Sequence, residues 1–324
     1  MIQLIKVNGG ILSNIVFLGN FRVDYTSESH HAKSLEELGH KVIRLQESDA
    51  RSEDILSACV NSDLFIWIHT HGWLTQGKIT MEKLLETLKA LNIPSMTYHL
   101  DLWFGLQREK DLESFPVYKM IDHFFTVDKK MSDWFNNNTA VKGHYIPAGV
   151  FAPECIIRDV TKKHDVIFVG SRKYHPEWPY RSKLIDWLDK SYGNKFEHYG
   201  NGGVKSVRGL DLNKLYWSTK VVVGDTLCID FKYPDYWSDR IYETLGRGGF
   251  LIHPYVKGLE NEFKDKEHVV FYKYGNFEQL QELIDYYIEH DDEREKIRLA
   301  GHKLVKNNYT YKHRWQHILE ELGI

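Results

Sequence analysis

The chain has 324 residues, about twice the length of a typical domain, which predicts two domains with separate cores. Its hydrophobic content of 42% and charged content of 27% are ordinary for a globular protein and exclude wholesale disorder. A net charge of −3 excludes a global attraction for nucleic acid, although a local basic groove could still exist.

Three widely spaced cysteines, Cys59, Cys155 and Cys228, form neither a disulfide framework nor a metal-binding motif. The N-terminal segment is apolar in two short bursts separated by Gly9-Gly10, which fits neither a signal peptide nor a membrane span. We therefore expect a cytoplasmic protein without a targeting segment.

Short apolar runs alternate with amphipathic stretches along the chain, the pattern expected of parallel sheets with crossover helices. In the first half, the predicted strands are NIVFLG, HKVIRLQ, DLFIWIHT, IPSMTYHL, HFFTV and GHYIP. The helices predicted between them are SESHHAKSLEELG, SEDILSAC, TMEKLLETLKALN and KKMSDWFNN.

The second half repeats this alternation. Its predicted strands are HDVIFVG, KFEHYG, KVVVGD, GFLIHP and HVVFYK, with helices at PYRSKLIDWLDKSY, SDRIYETLG and NFEQLQELIDYYIEH and two more at the C-terminus. The proline-containing segment 147–165 is the predicted linker. The sequence thus predicts two doubly wound α/β domains that face a cleft, with ligands at the carboxyl ends of the strands.

The first strand of the second half ends in Gly170-Ser171-Arg172. Glycine lets backbone amides approach an anion closely, and Arg172 can add positive charge. An ordinary strand-to-helix turn explains the same residues equally well. The loop lacks GxGxxG and GxxxxGK[ST], so neither a nicotinamide dinucleotide nor ATP cleavage of the P-loop type is indicated.

The segment SDRIYETLG predicts a site for an anion. Ser238-Asp239 form a good N-cap pair, and the free amides of the helix that follows can bind phosphate. Arg240 in the first turn opposes the helix dipole unless an anion lies between them. Glu243, one turn farther, can accept hydrogen bonds from two ribose hydroxyls. A diphosphate near Ser238 and Arg240 and a ribose at Glu243 would together form one end of a nucleotide sugar. The alternative is an Arg240–Glu243 surface pair worth about 0.3 kcal/mol.

These segments resemble a known family. From about residue 165 to the end, the strand end VGS, the stretch SDRIYETLGRGGFLIHPYVKGLENEF, the stretch from HVVFYK to HKLV and the final YTYKHRWQHIL resemble the donor half of a GT-B glycosyltransferase. The closest resemblance is to the CgeB-like branch of the glycosyl-transferase group 1 families. It implies an acceptor domain over 1–152, a donor domain over 153–308 and a C-terminal helix over 309–324 that returns to the first domain.

The resemblance also implies roles for residues. A nucleoside-diphosphate sugar would be the co-substrate, with no cofactor and no bound metal. Retaining relatives often have two acidic residues with seven others between them, the first touching the donor sugar and the second the ribose. Asp235 and Glu243 have that spacing, although aspartate stands where glutamate is usual. Tyr199 and Gly200, with the glycines at 202 and 203, would lie near the nucleobase.

The first half resembles acceptor domains more weakly, through FLGNFRVDYTSESHHAKSLEELGHKV. Gly19, Asn20 and Phe21 would line the cleft. Glu28 and His31 would follow on the next helix, although solvent-facing histidines explain the pattern as well.

The strand PSMTYHL ends in His99, Asp101 and Trp103, which share one face of an extended segment. A carboxylate beside an imidazole can deprotonate an acceptor or stabilise an oxocarbenium-like centre. Alternatively, Asp101 caps a turn and His99 is buried. The motif His69-Thr70-His71 invites a metal, but no third ligand follows at a helpful spacing, so we expect none.

Three function classes fit these features. Glycosyl transfer leads, and a sugar-nucleotide epimerase of the same architecture or a two-domain binding protein are the alternatives. The acceptor is open between a small molecule, an envelope component, a protein and hydroxymethylated pyrimidine in DNA. For DNA, the basic pairs at 129–130, 162–163 and 172–173 could line a groove, although such pairs are more often solvated surface.

Overall fold

In the computed structural model, which describes residues 6–7, 10–68, 75–110 and 116–324, the chain forms two compact units. Unit 1 comprises residues 1–147 and 311–324, and unit 2 comprises residues 148–310. The first boundary lies five residues before the predicted one, because the backbone N–H of Val150 donates to the carbonyl oxygen of Tyr309 at 3.2 Å and so ties this segment to unit 2.

Unit 1 is built on a six-stranded, fully parallel sheet with the order β4-β3-β5-β6-β7-β8. The strands are β3 (Asn14–Gly19), β4 (Lys41–Gln46), β5 (Leu64–Trp67), β6 (Ser95–His99), β7 (His123–Thr126) and β8 (Lys142–Tyr145). A short antiparallel pair, β1 (Lys6–Val7) and β2 (Gly10–Ile11), precedes them. The helices are α1 (Ser27–Glu37), α2 (Ser52–Cys59), α3 (Met81–Ala90) and α4 (Lys129–Asn138).

Helices α1 and α3 of unit 1 begin where the sequence supplies a capping side chain. Thr26 accepts a hydrogen bond from the Ser29 N–H at 3.1 Å, and Thr80 accepts one from the Lys83 N–H at 3.2 Å. Each cap satisfies an amide that the first helical turn leaves without a partner. The central strands are buried because helices cover both faces of the sheet, which is why they read as continuous apolar runs.

Unit 2 has a five-stranded parallel sheet with the order β10-β9-β11-β12-β13. Its strands are β9 (His164–Val169), β10 (Phe196–Tyr199), β11 (Thr219–Val223), β12 (Leu251–Pro254) and β13 (Val270–Tyr272). Its helices are α5 (Tyr180–Tyr192), α6 (Gly209–Trp217), α7 (Arg240–Gly246), α8 (Phe277–Glu289) and α9 (Asp291–Asn308). The two Rossmann-like sheets confirm the predicted fold class. The short β1–β2 pair and α6 were not predicted.

The last helix, α10 (Tyr311–Leu322), belongs to unit 1 and packs on α1. The indole N–H of Trp315 donates to Nδ1 of His31 at 3.1 Å, and the ring of Tyr311 lies 4.1 Å from the imidazole. Trp315 and His31 are both fully buried. The chain therefore crosses twice between the units and closes the core of unit 1 with its own C-terminus.

Among the described residues, the helices lack the combination of length and apolar composition needed to cross a membrane.

We expect Trp315→Ala to lower the free energy of unfolding of unit 1 by about 3–5 kcal/mol. The substitution removes a fully buried ring and leaves the buried His31 Nδ1 without its donor. Urea denaturation followed by circular dichroism measures the loss. Tyr286→Ala, at a side chain that is 42% exposed on α8, is the control. Equal losses in both variants would contradict the role given to α10.

Candidate functional site

The carboxyl end of β9 is occupied by Arg240, which lies in the first turn of α7. Its Nη1 donates to the carbonyl oxygen of Val169. A Cβ added at Gly170 would lie 2.5 Å from the same nitrogen, and Gly170 has a φ of 151°. The backbone geometry therefore favours glycine at this position, and a side chain there would force the guanidinium to shift. The result is a guanidinium held at a strand end.

Two polar atoms beside this strand end are buried and have no hydrogen-bond partner in the described part of the chain: Ser238 Oγ and Arg240 Nε. The backbone N–H of Ser238 is already used, because it donates to Thr226 Oγ1 at 2.9 Å. A buried donor without a partner costs about 1–3 kcal/mol, so such groups favour a ligand that supplies acceptors. Phosphate oxygens have this chemistry.

The predicted capping of α7 by Ser238 and Asp239 is wrong. Asp239 occupies the N-cap position but makes no side-chain capping bond, and α7 is only seven residues long. With φ −55° and ψ −19°, Asp239 already has helical backbone angles, whereas a capping side chain needs an extended backbone to reach the next amides. The groups that this segment offers to an anion are therefore side chains more than helix amides.

Glu243 lies one turn beyond Arg240 but forms no ion pair with it among the residues described here. The nearest cation to its Oε1 is Arg247 Nη2, at 3.9 Å. Arg247 is buried and is held by the carboxylate of Glu154 and by Asn213 Oδ1, the latter at 2.7 Å. The Glu243 side chain keeps 28% of its accessible area. The alternative of an Arg240–Glu243 surface pair is thus excluded, and Glu243 keeps an accessible carboxylate that can accept hydrogen bonds.

The segment after β11 contains a buried carboxylate that the sequence analysis did not identify. Asp225 Oδ2 accepts from Arg181 Nε at 2.8 Å and from Trp178 Nε1 at 3.1 Å, and Asp225 Oδ1 accepts from the Tyr274 hydroxyl at 2.9 Å. Asp225 and Arg181 are almost inaccessible to solvent. The signal was an aspartate directly after the apolar strand KVVVG. This network fixes the loop that leads to Ser238.

The ends of β9 and β10 are joined through their backbones. Gly170 N–H donates to the carbonyl oxygen of Tyr199 at 2.7 Å, and a Cβ at Gly200 would collide with the carbonyl oxygen of Gly170. The hydroxyl of Tyr199 donates to Glu197 at 2.6 Å. Tyr199 therefore contributes its backbone to this strand end, while its hydroxyl is engaged along β10.

Ser171 and Arg172 follow Gly170 directly. Ser171 is half-buried. The Arg172 N–H donates to the carbonyl oxygen of Asn201 at 2.9 Å, and its guanidinium pairs with Asp186. Because Asp186 already balances this charge, Arg240 is the stronger candidate for binding an anion.

Asp235 lies in the loop before α7, in a left-handed conformation with φ 54°. Its N–H donates to the carbonyl oxygen of Lys257 at 2.9 Å, and its carboxylate lies where a Cβ at Gly258 would be. The loops after β11 and β12 therefore meet at this carboxylate.

In unit 1, the carboxyl ends of β3 and β4 bring two glutamates close together. The Glu28 side chain packs against Gly19, where a Cβ would lie 3.0 Å from Glu28 Cγ. Glu47 is buried, and its N–H donates to the carbonyl oxygen of Gly19 at 2.9 Å. Burial, with a smaller contribution from the charge of Glu47, raises the pKa of Glu28 to about 7.

Asn20 and Phe21 continue this edge. The Asn20 carbonyl oxygen accepts from Thr26 Oγ1 at 2.7 Å, and the Phe21 N–H donates to Gln46 Oε1 at 2.7 Å. Phe21 packs edge-on against Phe17, with ring centroids 5.2 Å apart. These bonds hold the loop that follows β3 beside Glu28.

Asp101 follows β6, and its carboxylate lies 3.7 Å from Arg108 Nη1. The Asp101 side chain is 44% accessible. His99 and Trp103 are buried, with ring centroids 4.7 Å apart. The structure thus separates this trio: the rings of His99 and Trp103 pack into the core, and the carboxylate of Asp101 reaches the surface.

His31 is the acceptor-side residue that the structure places differently from the prediction. It is fully buried beneath α10, and burial lowers its pKa to about 3. It therefore neither faces solvent nor lines a site. The helix that covers it comes from the far end of the chain, which local sequence could not reveal.

The predicted His69–His71 motif, including His71, lies outside the described residues. Within the ranges that are described, His, Cys, Asp and Glu side chains form no group suited to holding a metal ion.

The chain is similar to known proteins in sequence and in fold. Residues 172–320 match the family model described as Glycosyl transferase-like. The sequence matches none of the curated proteins with which it was compared.

Solved structures with the same fold include a glycosyltransferase from Rickettsia africae ESF-5, with a TM-score of 0.63 and 14% identity over 95% of this chain and 97% of that one. HepE from Anabaena, in complex with UDP-glucose, has a TM-score of 0.63 and 11% identity over 96% and 99%. An alpha-glucosyltransferase in complex with UDP and a 13-mer DNA has a TM-score of 0.69 and 10% identity over 96% and 100%. The solved structures confirm the predicted GT-B fold. The family match agrees with the predicted glycosyltransferase class over residues 172–320. The CgeB-like branch stays a prediction.

The raised pKa of Glu28 makes stability depend on pH. Between the ordinary glutamate pKa, near 4.5, and about 7, the folded state holds a proton that the unfolded state has released. Stability must therefore fall as pH rises through this window, by about 1.4 kcal/mol per pH unit at most.

Accordingly, we expect Glu28→Gln to be more stable than wild type at pH 8, with the gap closing below pH 4.5. Thermal unfolding across this pH range measures it. Glu37→Gln, at an exposed position on the same helix, is the matched control. A constant difference between Glu28→Gln and wild type at all pH values would contradict the buried carboxyl.

Proposed function

We propose that the chain transfers a sugar from a nucleoside-diphosphate sugar to a hydroxyl acceptor, with UDP-glucose as the first donor to test. The observation that carries the proposal is the strand end of β9, where the Arg240 guanidinium lies over Gly170 beside two buried donors without partners. The family match covers Ser238 and Arg240, and HepE and the alpha-glucosyltransferase are described in complex with UDP-glucose or UDP.

In this proposal, Arg240 and the Ser238 hydroxyl bind the diphosphate. Their donors are already in place when negative charge develops on the leaving group, so they stabilise it without reorganisation. Glu243, which keeps an accessible carboxylate, accepts hydrogen bonds from the ribose hydroxyls. The turn at Gly200 offers backbone groups to the nucleobase. A bound metal ion is not needed, because the guanidinium supplies the positive charge.

Asp235 is proposed to contact the donor sugar. Its carboxylate is held between the loops after β11 and β12, and seven residues separate it from Glu243 along the chain. This spacing supports a retaining reaction.

In unit 1, Asp101 is proposed to act on the acceptor hydroxyl or on charge that develops during transfer. It is the accessible carboxylate after β6, and Arg108 Nη1 lies 3.7 Å from it. Glu28, with a pKa of about 7, is the alternative proton acceptor at neutral pH. His99 is buried and is therefore proposed to position neighbouring groups.

DNA is the second candidate acceptor, because the alpha-glucosyltransferase is described in complex with DNA. The basic pairs that favoured DNA are partly neutralised. Lys129 lies 3.6 Å from Asp133, Lys162 lies 3.1 Å from Glu295, and Arg172 pairs with Asp186. A cytoplasmic location remains part of the proposal, supported by three cysteines that are all buried and form no disulfide bond.

Two assays separate the competing classes. Incubation with UDP-glucose alone identifies an epimerase, because an epimerase converts its donor without an acceptor. To test DNA as the acceptor, DNA that contains 5-hydroxymethylcytosine is added, and its mass is followed for the gain of a sugar.

We expect UDP to stabilise the protein equally with and without EDTA, because Arg240 replaces a cation at the diphosphate. At about 100 times its dissociation constant, UDP should add roughly 2.7 kcal/mol. Thermal-shift measurement with UDP, GDP, ADP and TDP checks this. If no nucleoside diphosphate raises the melting temperature, the donor site is not where we place it. If EDTA abolishes the shift, the site needs a metal.

Variants of the two units should separate donor binding from transfer. Glu243→Ala should weaken UDP binding by about 1.5–3 kcal/mol, the range for charge-assisted hydrogen bonds. Asp101→Asn should leave UDP affinity unchanged and lower turnover on the order of 100-fold. Calorimetry with UDP and initial rates at saturating donor measure the two effects.

Glu282→Ala, at an exposed position on α8, is the control for both assays. Unchanged UDP affinity in Glu243→Ala would remove its ribose role. Full turnover in Asp101→Asn would indicate that Glu28, and not Asp101, acts on the hydroxyl of the acceptor.

A further inference from the structure

A cavity of about 680 Å³ lies in unit 2 among the loops that follow β11, β12 and β13. Most of its lining is aromatic: Phe231, Tyr255, Phe263, Phe271, Tyr272 and Tyr274. Its lining also includes residues of the edge strand β13 itself and of the segment that precedes it. None of its lining residues belongs to the proposed diphosphate and ribose contacts.

Two pairs of rings line this aromatic cavity. Tyr255 and Phe271 have centroids 5.9 Å apart, and Phe231 and Tyr274 have centroids 5.2 Å apart. Phe231 is 48% exposed and Tyr255 is 42% exposed, so both present ring surface to a ligand. Exposed ring faces of this kind bind flat apolar surfaces such as the C–H face of a pyranose ring.

Phe231 is held in a costly backbone conformation. Asp230 and Phe231 are consecutive residues with φ of 53° and 55°, a region that non-glycine residues rarely adopt. The Phe231 ring is fixed by its packing 5.6 Å from Trp178 and 5.3 Å from Tyr180. The surrounding structure thus maintains both the strain and the exposed ring, as is usual where a side chain serves binding.

The charges around the aromatic cavity cancel. Its charged lining residues are two lysines, Lys264 and Lys273, and two acids, Glu260 and Asp265. Asp265 Oδ1 accepts from the Phe271 N–H at 2.7 Å, and Glu260 Oε2 accepts from the Gly258 N–H at 2.8 Å, so both carboxylates are fixed in place. Donors and acceptors without net charge suit a neutral polyhydroxylated ligand better than a polyanion such as nucleic acid.

One wall of the aromatic cavity is hydrogen-bonded to the proposed donor segment. The Tyr274 hydroxyl donates to Asp225, and it accepts from the Thr226 N–H at 3.2 Å. Thr226 Oγ1 in turn accepts from the Ser238 N–H at 2.9 Å. A ligand in the cavity therefore lies against the same loop that holds Ser238.

From these observations we propose that the aromatic cavity is a saccharide-binding subsite, in which Phe231 and Tyr255 stack on sugar rings and Lys273 and the acids bind their hydroxyls. The identification of this saccharide as part of the acceptor or product rests on the proposed function. The binding itself does not.

Saturation-transfer NMR with maltotetraose, cellotetraose and chitotetraose, in the absence of any donor, tests the subsite. We expect at least one of these neutral oligosaccharides to bind. Phe231→Ala and Tyr255→Ala should each weaken that binding roughly two- to tenfold, the range for aromatic ring contacts. Tyr286→Ala, which removes an equally exposed ring on α8 outside the cavity, should leave it unchanged.

UDP calorimetry on each variant shows whether the variant is folded. It also distinguishes the saccharide subsite from the proposed donor site, because the two are tested with different ligands. If the wild type binds a saccharide but does not bind UDP, the proposed function is overturned and the subsite is retained. The subsite is overturned if none of the three oligosaccharides binds, or if neither cavity variant weakens the binding. Displacement of the bound saccharide by DNA containing 5-hydroxymethylcytosine would instead assign the cavity to a nucleobase.

Discussion

The candidate donor site depends on one close contact, the Arg240 guanidinium above Gly170. Any other residue at position 170 would place a Cβ against the guanidinium, and the positive φ of Gly170 would strain it as well. Through this contact α7 is tied to the end of β9, and Ser238, two residues before Arg240, has a second buried polar atom without a partner in the described part of the chain. A preorganised cationic site of this kind binds a leaving diphosphate without waiting for side chains to move.

A buried ion pair stabilises the loop that leads to this contact. Arg181 at the start of α5 and Asp225 after β11 are both inaccessible to solvent, and Trp178 and Tyr274 complete the hydrogen bonds of the carboxylate. Removing one partner of such a pair leaves an uncompensated buried charge, which typically costs 3–5 kcal/mol. The pair therefore fixes the loop that leads to Ser238, and the same loop borders the aromatic cavity. The proposed donor site and the aromatic cavity thus both border this loop.

Unit 1 holds carboxylates of two different kinds. Glu28 is largely buried beside Glu47, and its proton is released only near neutral pH. Asp101 is accessible and lies beside Arg108. Carboxyl groups with environments this different are suited to different roles, one to proton transfer at neutral pH and one to fixed negative charge.

The sequence by itself determined where the strands and the principal helices lie and that they form two sheets. It also identified the segment with Arg240 and Glu243 as a candidate site. These follow from apolar periodicity and strand-end residues, which are local signals. Only the tertiary structure decided that Arg240 bonds to Val169, that Glu243 lies beside Arg247, that Asp225 is the centre of a buried network and that α10 covers His31. It also showed that Asp239 does not cap α7. The Arg240–Val169 bond, the Asp225 network and the cover of His31 depend on partners far apart in the chain, which strand order and the return of the last helix bring together. Spacing along the sequence carries no information about such pairs. Glu243 and Arg247 are only one turn apart, but the distant Glu154 and Asn213 hold Arg247 in place.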